Sequence, residues 1–251
     1  FGTVARGVHI QSKKAVVVKE FLKEKINFCV TEDARKEFEI HHRLSTGSEN
    51  IVQLYGVIVE EKKKCLVMEY CSNGDLFDFI QKHNLEDEKK LQGFFKDVLH
   101  GLADMHRAGY AHRDISLENV VVDKTNKAKI CDFGCATPDR VIPAGSVPCG
   151  KVSYMAPEVY RRRKYDPFLA DIYSCGILLF GMLARSFPYN VVDDTLHVEL
   201  MTKGVALHAK KHGLKMSNSV VDLLQHMICP AEKRANINFI LNHPWVSAKT
   251  F

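Results

Sequence analysis

Long apolar runs are scarce in this chain of 251 residues. No stretch approaches the run of about 18 apolar residues that a membrane span requires. The longest, Ile177 to Leu183, is short and interrupted by Gly181, so no membrane partner is expected. A paired cysteine framework is also missing. The nearest neighbours among the eight cysteines, Cys131 and Cys135, lack a zinc or redox spacing. Eight reduced thiols in a cytoplasmic or nuclear protein are expected. No signal peptide, repeat or low-complexity linker is visible, and the chain starts at Phe1 without Met, so a fragment is expected. Charge of one sign is not in strong excess, with a formal net charge of +5. The Arg161-Arg162-Arg163-Lys164 run lacks aromatic interleaving and a second basic cluster. It reads as a solvated loop, and no nucleic-acid partner is expected.

What remains is an ordinary globular composition, 46% hydrophobic and 26% charged, long enough for a large buried core. The first third reads as strands with one helix. Ala15 to Phe21, Ile51 to Val59 and Cys65 to Tyr70 are rich in β-formers, the last two divided by the polar turn Glu60 to Lys64. Thr31 is placed to cap a helix ending near Leu44. The remainder is mostly helical. From Leu91, the residues Phe94, Phe95, Val98, Leu99, Leu102 and Met105 recur at helical spacing. Asp171 to Arg185 is apolar on nearly every side, as a core helix should be. Val220 to Ile228 and Asn236 to Leu241 are closing helices. Two short strands, Asn119 to Val122 and Lys129 to Cys131, flank a turn. The expected class is α+β.

Chemistry concentrates in His112-Arg113-Asp114-Ile115-Ser116-Leu117-Glu118-Asn119 and, further on, Asp132-Phe133-Gly134. An Asp and an Asn on one loop, followed by a second Asp after a strand, suit phosphoryl transfer. That reaction needs a carboxylate to orient the attacking hydroxyl, oxygen ligands for Mg²⁺ and fixed positive charge. Asp114 is the candidate for the first role. Asn119 and Asp132 are hard oxygen ligands suited to the metal.

With these motifs in order, the chain resembles the eukaryotic protein kinase family along essentially its whole length. The resemblance implies a bilobal fold: a small β-rich lobe with one main helix (about 1–69), a hinge (about 69–73) and a larger helical lobe (about 74–251). It also implies ATP and Mg²⁺ as cofactors. Phe1-Gly2-Thr3-Val4 resembles the end of the Gly-rich phosphate loop, whose beginning is missing. Lys19 resembles the strand lysine on the α/β-phosphates. Ala156-Pro157-Glu158 resembles the close of the activation segment, Asp171 the helix anchoring the catalytic loop, and Arg234 the partner of Glu158. By the same resemblance the backbone at Glu69 and Cys71 would bind adenine, Val4, Val17 and Val121 would sandwich the ring, and Asp75 would line the nucleotide site. For each valine alone, ordinary core packing is the plainer alternative. The partner of Lys19 is either Glu37 or Glu39. At about 100° per residue, Glu37 shares a face with Ile40, His41 and Leu44, so Glu37 is chosen.

Two departures from the family stand together. Ser116 occupies the place where a lysine normally follows the catalytic Asp, and Lys151 occupies the place of the Thr that normally contacts both. Lys151 is expected to reach back and supply the missing ammonium, with Ser116 as its partner. Independent drift, with Lys151 in solvent, is the alternative.

The resemblance implies transfer of the γ-phosphoryl group to Ser/Thr hydroxyls of protein substrates, with oligomeric state open. Asp75 and Glu118 sit where related enzymes contact basic residues upstream of the target; contact with ribose, solvent or local backbone is an equal reading. Ser146 and Thr137 are candidate sites of activating phosphorylation. Cys71 and Cys131 would line the cleft as inert thiols. The competing reading is a pseudokinase, a nucleotide-binding scaffold without catalysis. A small-molecule kinase is disfavoured by the complete Ala-Pro-Glu segment.

Overall fold

The computed structural model describes residues 3–22, 28–61, 63–189 and 194–248. β1 (Thr3–Val8), β2 (Ala15–Leu22), β3 (Leu54–Val59) and β4 (Lys63–Glu69) form one antiparallel sheet in the order β1-β2-β4-β3. The β-branched run Ala15-Val16-Val17-Val18 favours strand because such side chains pack well on a pleated surface. Alternation along β2 puts Val17 and Lys19 on one face, and the register pairs Val4 with Lys19 and Val17 with Met68. Helix α1 (Phe28–Ser45) packs beside β3. Glu37, Ile40, His41 and Leu44 form its buried face, while Glu39 is exposed and pairs with Arg35 one turn earlier. Thr31 lies inside this helix and does not cap it, because the helix starts at Phe28.

The helical part follows. α2 (Leu76–Lys82) is capped by Asp75, and α3 (Glu88–Arg107) by Asp87. α2, only seven residues long, is too short to stand out by periodicity. α3 buries Phe95, Leu99, Leu102 and Met105 completely, each contributing about 1.5–3 kcal/mol of transfer free energy. At Gly101 the helix runs close to the segment before β3: a Cβ there would sit 2.5 Å from the Asn50 carbonyl. The hairpin β5 (Val120–Val122) and β6 (Ala128–Ile130) lies on α3. Asn119 is in a 3₁₀ turn before β5, not in the strand. Ile51 likewise precedes β3 and makes a lone parallel bridge to Ile130, tying the sheet region to the hairpin.

The rest comprises α4 (Pro157–Tyr160), α5 (Pro167–Ala184), α6 (Asp194–Lys211, interrupted at Gly204), α7 (Asn218–Met227), α8 (Ile237–Asn242) and α9 (Pro244–Ser247). α5 starts earlier than its apolar pattern suggests, because Asp166 caps it and Pro167 occupies its first position. By length and composition this helix could cross a membrane, with mean hydropathy 1.7 over 18 residues, contrary to the expectation that no segment qualifies. It is instead a core helix, 67% buried and carrying the fully buried Asp171. A continuous core runs from Ile40 and Leu44 through α3 and α5 to Trp245.

The cysteines require a correction. Cys135 and Cys149 are joined in a disulfide, so the eight thiols are not all free. The partners are 14 residues apart, outside any recognisable spacing, and meet only because the intervening segment folds back. Cys65, Cys71, Cys131, Cys175 and Cys229 are free thiols.

His41 links α1 to the core. It is 1% exposed, its Nε2 donates to the Val52 carbonyl at 2.7 Å, and its ring lies 4.6 Å from that of Phe133. Burial lowers its pKa from the ordinary 6.5 to about 4. Between those values the unfolded chain binds a proton that the folded chain refuses, so stability is full above pH 6.5 and falls on acidification towards pH 4. This one group accounts for about 3 kcal/mol. Denaturant titrations at stepped pH are expected to show that loss, and His41→Gln, which keeps a donor but cannot titrate, is expected to flatten the curve by that amount.

Candidate active site

Asp171 is the support of the site. Its buried carboxylate accepts the main-chain N–H of His112 at 2.8 Å and of Arg113 at 2.7 Å, and the His106 Nε2–H at 2.9 Å. Three donors on one carboxylate offset the cost of burying it. They hold Arg113 in a left-handed conformation with φ of 68°, and so fix the direction of the next residue, Asp114. His112, fully buried, packs edge-on to Phe133. His106 lies outside the motifs read from the sequence; its position on the last turn of α3 shows only once α5 is packed beside it.

Asp114 Oδ2 accepts the Asn119 Nδ2–H at 2.7 Å, and the same amide also donates to the Asp114 carbonyl at 2.8 Å. Asp114 Oδ1 accepts the main-chain N–H of Lys151 at 2.8 Å. The Lys151 ammonium donates to Ser116 Oγ at 2.9 Å and to Asn119 Oδ1 at 3.0 Å, and lies 3.6 Å from Asp114 Oδ2. Lys151 therefore turns back onto the loop, as the sequence led us to expect. Gly150 allows this. Its φ is +102°, and a Cβ there would clash with the Arg113 carbonyl.

A second charged cluster is built on β2. The Lys19 ammonium donates to Glu37 Oε1 at 2.7 Å and to Asp132 Oδ1 at 2.9 Å. Burial works against the charged lysine, but Glu37 and Asp132 outweigh it and hold its pKa above the ordinary value. Burial pushes the Asp132 carboxyl up, yet Lys19 pulls it below its usual value, so it stays ionised. Asp132 has φ of 63°, and Gly134 follows with space for the Glu37 carboxylate beside it. Glu37 rather than Glu39 meets Lys19.

Val17 and Val121 are half-buried and Val4 is 61% exposed. The Glu69 carboxylate is taken by Lys129 at 2.7 and 2.9 Å, which turns it into a strut to β6. Burial pushes the Cys71 thiol up to about 12, and the Cys131 thiol likewise, which fits inert side chains. Asp75 uses Oδ1 to cap α2, accepting from the Asp78 N–H at 2.8 Å, which matches the local-backbone alternative. Exposed Glu118 accepts from the Tyr154 hydroxyl at 3.1 Å. Thr137 is fully buried and bonded to Asp139, so it is not accessible for phosphorylation; Ser146 is partly exposed. Gly2, and Phe1 beside it, lie outside the described residues.

The donor set suits a hard divalent cation. Asp132 offers a half-exposed carboxylate and Asn119 an amide oxygen. Among the described residues no group of three or more His, Cys, Asp or Glu side chains converges. Such an ion would take its remaining ligands from phosphate and water, the usual habit of Mg²⁺.

A carboxylate on a clamped loop, together with a lysine–glutamate–aspartate cluster that joins the sheet and α1 to the turn after β6, defines a phosphotransferase class of site. The chain belongs to the protein kinase family: the model for the protein kinase domain matches residues 1–246. Among curated proteins it is similar to maternal embryonic leucine zipper kinase of Danio rerio, 31% identical over 248 residues. The Xenopus laevis protein of the same name is also 31% identical over 248 residues. Hormonally up-regulated neu tumor-associated kinase of Mus musculus is 30% identical over 253 residues. Each comparison covers 98% of this chain but 35–37% of the relative, so the chain spans about a third of their length.

Gly150 gives this site its most exposed weakness. Gly150→Ala is expected to cost on the order of 1–3 kcal/mol through the left-handed backbone alone. It should also lift Lys151 off Asp114. Urea titration reads the first effect; loss of activity beyond what the residual folded fraction explains reads the second.

Proposed function

We propose that the chain is a protein kinase domain transferring the γ-phosphoryl group of ATP to Ser/Thr hydroxyls of protein substrates. The observation that carries this reading is the convergence of Asp114, Asn119 and Lys151 on one side and Lys19, Glu37 and Asp132 on the other. Asp114 orients the substrate hydroxyl and receives its proton as the new oxygen–phosphorus bond forms and the bond to ADP breaks. Lys19, fixed by Glu37, holds the α/β-phosphates. Asp132 and Asn119 would hold Mg²⁺, which would supply neutralisation of phosphate charge. Val4, Val17 and Val121 flank the adenine ring, the hinge backbone at Glu69 and Cys71 hydrogen-bonds it, and Gly2 belongs to the phosphate loop.

Glu118, exposed beside Tyr154, is the residue best placed to select a basic side chain upstream of the target, since arginine pairs well with a carboxylate. Asp75 is less available because it caps α2. No role with nucleic acid or membrane is proposed. The setting is cytoplasmic or nuclear, where a disulfide such as Cys135–Cys149 is of the transient kind.

Labelled ATP, Mg²⁺ and a degenerate basic Ser/Thr peptide pool test the reading. Transfer is expected, and Asp114→Asn is expected to lower kcat by about 10²–10⁴-fold while nucleotide still binds. A wild-type protein that binds nucleotide yet is silent on every peptide pool and towards itself would point to the scaffold alternative.

A further inference from the structure

We propose that Ser116 and Lys151 have exchanged roles, so that the cation facing the migrating phosphoryl group comes from the activation segment and not from the catalytic loop. The inference rests on the kinase reading above and deepens it.

Charge accumulates on the transferred phosphoryl oxygens, and a preorganised cation beside the attacking hydroxyl stabilises it. Between His112 and Asn119 the sole Lys or Arg is Arg113. Lys19 is engaged by Glu37 and Asp132 at 2.7 and 2.9 Å. Among the described residues, the ammonium within ion-pair distance of Asp114 is that of Lys151, 3.6 Å from Oδ2 and bound to two side chains of the same loop, Ser116 and Asn119. Its side chain keeps 36% of its surface exposed, so it is held yet open to a substrate.

The seat is built from both sides. Ser116 is fully buried, and its Oγ accepts from the Lys151 ammonium and from the Asn119 N–H at 3.3 Å, which fills its two acceptor positions. The Lys151 main chain is bound to Asp114 Oδ1. A surface lysine that had merely drifted would have neither a dedicated buried acceptor nor its backbone docked on the catalytic carboxylate.

The exchange makes a reciprocal demand. A lysine at 116 alone would bring a second ammonium against that of Lys151, in a site built for one, and like charges there repel. A threonine at 151 alone would leave the site without its cation. Both substitutions together restore one ammonium and one hydroxyl, in swapped positions.

The test uses the full-length protein carrying Lys151→Thr, Ser116→Lys or both. Turnover is measured, together with ATP and ADP affinities in Mg²⁺ by calorimetry and melting temperature. Each single variant is expected to lose about 10²-fold in kcat. Lys151→Thr should also lose roughly tenfold of the preference for ATP over ADP, which reads contact with the γ-phosphate independently of turnover. The double variant is expected to recover both to within about tenfold of wild type, the non-additivity expected of coupled residues. Unchanged kcat and unchanged ATP preference in folded Lys151→Thr would overturn the proposal. So would a folded double variant no better than Lys151→Thr. A wild-type protein binding neither nucleotide would overturn the kinase reading and this inference with it.

Discussion

The Asp171 carboxylate has no exposed surface, and the geometry of the site hangs on it. It sits on α5, the most apolar helix of the chain, and takes two consecutive backbone N–H groups of the loop that carries Asp114. A buried carboxylate without donors would be costly by several kcal/mol, so the loop and helix stabilise each other. The strained backbone at Arg113 persists because this anchor fixes it. Arg234 supports the same region from the other end. It forks onto Glu158 at 2.7 and 3.3 Å and donates to the Leu169 and Cys229 carbonyls, tying α4 to the start of α5 and to the turn after α7.

Above that base, charge is divided between two clusters. The Lys19 cluster joins β2, α1 and the Asp132 turn, three segments far apart in sequence. The Lys151 cluster joins loop 112–119 to the segment before α4. Each places one ammonium among oxygen acceptors, the distribution required to hold a polyphosphate at one end and stabilise its transferred group at the other. The proposed Ser116–Lys151 exchange would keep that distribution while changing which segment supplies the charge. Placement of the second cation is therefore coupled to the conformation of residues 149–151.

Much of the site was legible because short-range spacing carries it. Asp114 and Asn119 lie five residues apart on one loop, and the amide of one holds the carboxylate of the other. Helical periodicity was enough to choose Glu37 over Glu39, since burial of Ile40, His41 and Leu44 fixes which way the helix faces. Even the contact between Lys151 and Ser116 could be anticipated, because two complementary departures from one motif set point at each other. His41 lies on that same face, but its contact with Phe133 is not legible from the sequence, because periodicity tells which face is buried and not what meets it.

The sequence by itself determined the fold class, the family and the identity of the chemical groups, because apolar periodicity and closely spaced polar motifs are local properties of a chain. Tertiary structure alone decided the rest. It brought Cys135 against Cys149, buried Thr137, assigned the Asp75 carboxylate to a helix cap and Glu69 to Lys129, and gave Asp171 its third donor in His106. Each of these depends on which oxygen, sulfur or N–H lies within about 3–4 Å once the core has closed, and hydrogen bonds vanish beyond that range. Spacing along the chain does not encode such distances; packing does.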